Sequence, residues 1–421
     1  MSLDAKKAFF AGLFEAAVKA ADPAAIIPAV LPERPKGRTI VIGAGKGSAQ
    51  LAQAFERAWD GPVEGVIVTR YGFGAPCERI RIHEASHPVP DAAGLEGSRL
   101  LFEAVKDLSE DDLAVALISG GGSALLPCPP MGMTLADEIA VNEALLASGA
   151  PISAMNVVRK HLSAIKGGRL AKACHPARVV TLAVSDIPGD HAAYIASGPT
   201  VPDGSTRADA LEVVKAYGLA LPQAALAHLA SNAANAPKPD DPVFAHNVVN
   251  VIASAGLSLE AAAKAAQAAG IEAVILSDAM EGEAREVAKV HGAMALEIAR
   301  RDRPFTKPVV LLSGGETTVT LRGRGKGGRN TEFLLSLALT IDGAPGISAF
   351  AADTDGIDGS ENNAGAFCDG STVSRLRAAG MDARAMLGNN DAWTAFDALG
   401  DIFAPGPTGT NVNDLRAVLV E

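Results

Sequence analysis

The chain has 421 residues, long for one domain, so length favours two. With 48% apolar residues and only 4% aromatic ones, it suits helices stacked on buried parallel strands better than an aromatic-rich sandwich. A net charge of −11, from 37 basic and 48 acidic residues, excludes a general binder of nucleic acid or of an anionic membrane, so an anionic ligand must meet local Lys, Arg or backbone N–H groups.

Met1 to Phe14 opens an amphipathic helix, with Phe10, Leu13, Phe14, Ala17 and Val18 on one side. It lacks the basic start and cleavage site of a signal peptide. No apolar run is long enough to span a bilayer. The four cysteines, Cys77, Cys128, Cys174 and Cys368, form no CxxC pair and read as reduced thiols. The expected location is the cytoplasm. Short apolar runs then alternate with helical patterns. Thr39–Ile42, Gly65–Thr69, Leu113–Ser119 and Val179–Ser185 predict buried strands; Ser48–Trp59, Ala92–Lys106, Thr134–Ala147 and Ala208–Tyr217 predict helices, the third opened by a Thr134–Asp137 capping signal. This alternation predicts an N-terminal parallel sheet covered by helices on both faces, a doubly wound arrangement.

The proline-rich stretch Ser231 to Pro242 reads as a linker, which divides the chain into domains 1–235 and 236–421. Beyond it, strands are expected at Val248–Ala253, Ala273–Leu276 and Val309–Ser313, and helices at Leu257–Ala269 and Ala284–Arg301. Thr317–Leu321 follows a Gly-Gly turn and predicts an antiparallel hairpin, so the smaller C-terminal α/β domain is expected to carry a mixed sheet. Both halves show SGG (Ser119, Ser313), KGGR (Lys166, Lys326) and a strand-end Asp (Asp186, Asp353) in the same order. An internal repeat and chance are both open explanations.

Several segments carry chemistry. Gly43-Ala-Gly-Lys-Gly-Ser48 joins a strand to a helix, where free N–H groups and the helix dipole suit a phosphate; Gly43, Gly45 and Ser48 would approach it and Lys46 would add a full charge. The segment completes neither a Walker motif nor a dinucleotide fingerprint, because Gly47 intervenes and the next strand ends Thr69-Arg70 without an acid. A tight turn with a solvated lysine is the plain alternative. Ser119-Gly120-Gly121-Gly122-Ser123, after a buried strand, is the stronger phosphate candidate, since strand C-termini are where such sheets bind ligands. Ser313-Gly314-Gly315-Glu316 is similar but carries an acid able to orient a cation or a substrate hydroxyl.

The acids Asp186, Asp190 and Asp353 stand at strand ends or in the turns after them. Mg²⁺ or another divalent cation needs only one or two such carboxylates beside phosphate oxygens, and a carboxylate can also accept a hydroxyl proton. Turn formation and helix capping are their bland roles. Asn156, Arg159, Lys160 and Lys166 lie in a polar, glycine-broken stretch, and Arg329 and Asn330 open a later helix. An Arg there suits a carboxylate or a phosphate; a charged surface loop is the alternative. Thr410 and Asn411 sit in a hydroxyl- and amide-rich turn that suits a nucleotide, with a plain turn as the alternative. His83 and His87, in HEASHPVPD, show no metal-ligand spacing and read as structural.

The segments ISGGGSALL, KHLSAIKGGRLA, SDIPGD, IASGPT, LSGGET, GKGGRNTE, DTDGIDG and GPTGTNVND, in that order, resemble the bacterial glycerate 2-kinase family, whose second domain is the MOFRL domain. The resemblance runs from about Phe9 to the C-terminus, with His191 as a departure in SDIPGD. It implies a Rossmann-like N-terminal domain, ATP-dependent phosphorylation of D-glycerate at the 2-hydroxyl, a divalent cation, and an active site in the cleft between the domains. It also implies Lys46 and Arg329 as catalytic residues. On that reading Asp186 joins them as a proton acceptor or metal ligand. Small-molecule partners, a monomer or homodimer, and no nucleic acid or membrane are expected. Members have also been named hydroxypyruvate reductases, but the nicotinamide fingerprint that an NAD(P)H-dependent enzyme needs is incomplete at Gly43.

Overall fold

A computed structural model describes residues 1–421, with Pro188 described by its backbone alone. The chain forms two compact units. One is Pro23–Ile252; the other joins Met1–Asp22 to Ala253–Glu421.

The first unit is built on β1 (Thr39–Ala44), β2 (Glu64–Arg70), β3 (Ile80–Ala85), β4 (Leu113–Ile118), β5 (Arg178–Val184) and β6 (Val248–Ala253), arranged β3-β2-β1-β4-β5-β6. The pairs β1–β2, β1–β4, β2–β3 and β4–β5 are parallel. Every residue of β1 and β4 is buried, as expected for central strands covered by helices on both faces. Ile40, Ile42, Ala114, Ala116 and Ile118 pack with Leu100 and Leu101 of the Ala92–Ala104 helix on one face. The strand order reverses between β1 and β4, and the sheet's C-terminal edge at that reversal is where such folds bind ligands. The Thr134–Asp137 capping box forms as expected.

The second unit carries a mixed sheet. Its strands are β7 (Glu272–Ser277), β8 (Gly282–Glu283), β9 (Val309–Ser313), β10 (Thr317–Thr318), β11 (Ile347–Asp353), β12 (Gly365–Asp369), β13 (Ile402–Phe403) and β14 (Asp414–Val420). The main sheet runs β13-β12-β11-β14-β9-β7, in which only β7–β9 is parallel among the pairs that join its neighbours. The buried Arg329–Thr340 helix fills one face with Phe333, Leu334, Leu335 and Leu337. The Leu3–Lys19 helix covers the other, with Phe10 stacked on Phe350 at 5.9 Å.

Three expectations are corrected. The division falls at Ile252/Ala253, not 235/236, because β6 completes the first sheet. The N-terminal helix belongs to the second unit, because its apolar stripe packs on β11 and the Ala255–Ala268 helix. Thr317–Thr318 pairs in parallel with β8, so no hairpin follows the Gly-Gly turn. Any internal repeat stops short of the sheets, which differ in strand order and direction. Among the described residues, no helix is long and apolar enough to cross a membrane.

Candidate active site

At the strand-order reversal, the turn after β1 is hydrogen-bonded to the turn after β4. Lys46 N donates to Gly120 O (2.8 Å), Gly47 N to Ser119 Oγ (3.0 Å), and Ser48 Oγ and Ser119 Oγ pair at 3.1 Å. Gly45 N reaches Val68 O (3.1 Å) and Ser48 N folds back on Gly45 O (3.3 Å). The amides expected to cradle a phosphate are therefore taken up inside the protein. Gly43 pairs within the sheet and Gly45 bonds to β2, while Ser48 and Ser119, both buried, join the two turns.

The triple-glycine loop has a different surrounding. A Cβ on Gly120 would fall 1.8 Å from Asp186 Oδ2, so the carboxylate after β5 lies flush on this backbone. Gly121 (φ 81°) occupies the left-handed region, and a Cβ there would come within 3.0 Å of both His87 Nε2 and Lys46 Cγ. Gly122 backs onto Ala196 and is buried. Ser123 Oγ pairs with Ser197 Oγ (2.9 Å), which donates to Asn156 Oδ1 (2.8 Å). Burial, then the Lys46 and Arg70 charges, push the His87 imidazole down to about 4, so it stays neutral at ordinary pH. Among the described residues, no carboxylate and no hydrogen-bond acceptor engages the Lys46 ammonium. The loop thus gathers one unpaired cation, a neutral imidazole and a carboxylate on strand ends, an arrangement suited to a compact anion.

The spacing of HEASHPVPD did not place His87 beside the glycine turns. Its signal was positional: it stands two residues beyond β3, at the same sheet edge as the glycine turns.

The second unit holds a distinct cluster. Asp353 ends β11 and Asp414 opens β14, and these two residues are directly opposed in the antiparallel register. Facing like charges repel unless a counter-ion lies between them. Arg329, the first residue of its helix, supplies it. Its Nη2 donates to Asp353 (2.6 Å), its Nε to Asp414 (2.9 Å) and its Nη1 to Glu316 (2.8 Å). Arg416, two residues along β14, also donates to Asp414 and is fully buried. Burial and the facing Asp414 raise the Asp353 carboxyl well above its usual range, against the opposing pull of Arg329. Asp358 caps the Arg329–Thr340 helix by accepting Asn330 N, Thr331 N and Thr331 Oγ1, each at 2.9 Å. Burial still lifts its carboxyl to about 6.

Known relatives share this whole chain, not one motif. A model described as a domain of unknown function (DUF4147) matches residues 9–230, and the MOFRL family model matches residues 309–414. A protein of Agrobacterium vitis named "Putative hydroxypyruvate reductase" is 53% identical over 97% of this chain and 93% of its own. The D-glycerate 2-kinase of Thermotoga maritima is 38% identical over 96% of this chain and 95% of its own. A crystal structure of a glycerate kinase from Thermotoga maritima superposes with a TM-score of 0.91 at 37% identity, covering 99% of this chain and 100% of that one. The chain belongs to the glycerate 2-kinase family.

Within this family fold, several residues expected to bind ligand are engaged elsewhere. Lys166 is buried and donates to Glu138 Oε1 (2.8 Å) and Leu126 O (2.9 Å). Lys160 is buried against Asp203 and over the Tyr194 ring. Arg159 donates to Asn142 Oδ1 (2.8 Å). A cation withdrawn from water needs such partners, so these three stabilise the helical layer of the first unit. Asn330 is buried and donates to Asp414 (2.8 Å). Gly314 N bonds Ser277 O (2.8 Å), and Gly314 O and Gly315 O accept from Arg416, so part of that turn is tied into the protein. Thr410 Oγ1 ties down Ala21 O (3.0 Å), while Asn411 donates to Asp355 (3.4 Å). Asp353, expected as a metal ligand, is bound by Arg329. Asp190 sits in the turn after β5 at φ 52°. Among the described residues, no group of three or more His, Cys, Asp or Glu is arranged to hold a metal.

Proposed function

We propose that this protein transfers a phosphoryl group from ATP to the 2-hydroxyl of D-glycerate. The observation that carries the reading is the unpaired Lys46 ammonium at the triple-glycine loop, in a chain 38% identical to a D-glycerate 2-kinase along almost its full length. Phosphoryl transfer needs in-line positioning and charge neutralisation more than covalent chemistry. Lys46 supplies an uncommitted charge for an anionic oxygen. The neutral His87 imidazole offers a hydrogen bond without adding charge. Asp186, against Gly120, suits acceptance of the hydroxyl proton. A single strand-end carboxylate also fits Mg²⁺ when phosphate oxygens and water complete its octahedron, which makes Asp186 the residue that would hold the cation. Bound there, the cation would neutralise phosphate charge. Four free cysteines suit a reducing cytoplasm.

The name carried by the Agrobacterium vitis relative favours a second reading, an NAD(P)H-dependent hydroxypyruvate reductase. Against it, β2 ends in Arg70, which lies over the Phe73 ring at 3.4 Å, and the amides after β1 are taken up internally. The test is ADP release from ATP, Mg²⁺ and D-glycerate, with NMR of the product to place the phosphate. Oxidation of NAD(P)H by hydroxypyruvate without ADP release from glycerate would refute the kinase.

A further inference from the structure

The segment before Arg329 reads Arg322-Gly-Arg-Gly-Lys-Gly-Gly-Arg329, four cations and no acid in a chain of net charge −11. Before Arg329 it has no regular secondary structure, yet each backbone amide from Arg322 to Lys326 is held. Arg322 N and Gly323 N donate to Asn390 Oδ1 (2.7 and 3.0 Å). Arg324 N donates to Asn389 Oδ1 (3.2 Å), Gly325 N to Asn389 O (2.9 Å) and Lys326 N to Asp391 Oδ1 (3.0 Å). Asn390 is itself fixed by Glu332 (2.9 Å), which Arg285 grips at 2.8 Å.

The alternation of glycine and cation has a geometric cause. A Cβ on Gly323 would fall 2.3 Å from Asn389 O, and one on Gly325 would fall 2.3 Å from Asp391 Cβ. The glycine side therefore lies flush on residues 389–391. The intervening Arg322, Arg324 and Lys326 are all exposed. Among the described residues, neither Arg322 nor Arg324 has a side-chain hydrogen bond or an ion pair. Lys326 has only a loose contact with Glu361 (3.5 Å) and lies over the Trp393 ring. No apolar side chain of the segment enters a core, so packing does not explain the anchoring. What the anchoring achieves is a row of outward cations whose positions are set before any ligand arrives, which lowers the entropy lost on binding.

We infer that Arg322, Arg324 and Lys326 form a preorganised docking strip for the polyphosphate chain of the nucleotide. The three cations fall within five residues and span at most roughly 13 Å even at a full rise of about 3.3 Å per residue, within reach of one flexible oligoanion and more charge than one carboxylate needs. Arg is suited to such oxygens because its planar fork takes two at once. This assignment rests on the kinase reading for its choice of nucleotide.

The test uses the full chain with R322Q/R324Q and the charge-keeping R322K/R324K. Calorimetry measures binding of ATP and of inorganic tripolyphosphate without glycerate, and steady-state kinetics give KM for ATP and for D-glycerate. In R322Q/R324Q, Kd for tripolyphosphate and KM for ATP should rise about tenfold or more, the scale of losing charge-assisted contacts, while KM for D-glycerate changes less than about twofold. The lysine pair should restore most of that loss. Unchanged tripolyphosphate and ATP binding in R322Q/R324Q would overturn the strip. Tighter binding of a single-stranded oligonucleotide than of tripolyphosphate, lost in the same variant, would also overturn it. If the natural protein releases no ADP with glycerate but binds tripolyphosphate through these arginines, the strip stands and the kinase reading falls.

Discussion

Arg329→Ala separates the electrostatics of the Asp353–Asp414 pair from its chemistry. The guanidinium is the only cation in hydrogen-bond contact with Asp353 among the described residues, whereas Asp414 keeps Arg416 and Asn330. Glu316 has a side chain 56% exposed and loses little. The cost therefore falls on Asp353, whose side chain is 7% exposed. Breaking a buried pair costs about 3–5 kcal/mol. A carboxyl can limit that cost by taking a proton. Each pH unit above its ordinary value of 3.8 makes this more expensive by about 1.4 kcal/mol, so the ceiling is about 4 kcal/mol at pH 7 and under about 2 kcal/mol at pH 5.

The sign follows from linkage. A carboxyl whose folded pKa is raised binds more protons folded than unfolded in the window above 3.8, so stability falls as pH rises through that window. The natural protein already has this slope, because Asp353 is raised, and the variant should have more of it. The assay is thermal unfolding of both proteins from pH 5 to 8. At about 2–4 °C per kcal/mol for a unit of this size, the variant's Tm should lie roughly 8–16 °C lower at pH 7 and roughly 3–7 °C lower at pH 5. A Tm deficit that is constant with pH, or that grows toward acid, would refute the account of Arg329 as the counter-ion of facing carboxylates.

Lys46→Ala should lower kcat on the order of 100-fold, the scale of one transition-state contact, with Tm unchanged because no residue pairs with the ammonium. A kcat loss below about threefold would remove Lys46 from the site. Lys166→Met should destabilise by about 3–5 kcal/mol, because it leaves Glu138 charged and buried, and adding Glu138→Leu should recover most of this in denaturant titrations. The double variant should keep its KM for ATP; an increase of about tenfold would return Lys166 to the nucleotide site. His87 has a depressed folded pKa, so the unfolded chain binds the proton first and stability falls as pH drops from 6.5 toward 4. His87→Gln should flatten this part of the pH–stability curve, and an unchanged slope there would contradict the buried neutral imidazole.

Much of the fold was legible in the local pattern. Leu113–Ile118 is uniformly apolar because both its faces are covered, and the glycine turns fell at the C-terminal ends of β1 and β4. The unit boundary was not legible. Val248–Ala253 reads as a strand wherever it pairs, and only the open edge beside β5 decides that it joins the first sheet. The stripe of Phe10, Leu13 and Phe14 announced a buried helix face, but its partners Phe350 and Phe403 lie more than three hundred residues away. At the candidate site, the glycines the sequence singled out have a structural reason that the sequence did not show. Gly120 and Gly121 are required by the approach of Asp186, His87 and Lys46, contacts between strand ends that no local window contains.

The two KGGR segments show why short motifs cannot locate a charge's role. In the first, Lys166 is buried on Glu138, and Arg169 donates to the carbonyls of Lys160 (2.7 Å), Lys166 (3.0 Å), Ala234 (3.3 Å) and Asn235 (3.2 Å). With only carbonyls around it, burial pulls Arg169 down to about 10. In the second, Lys326 is exposed and Arg329 holds three carboxylates, which raise its pKa. The same four residue types thus make a loop clamp once and a charged hub once. What differs lies outside the motif: the second unit opposes Asp353 and Asp414 across adjacent strands, 24 and 85 residues from Arg329. The diagnostic feature of that cluster is therefore a pair of facing strand-end acids with an arginine at a helix start, of which KGGR contains only the arginine.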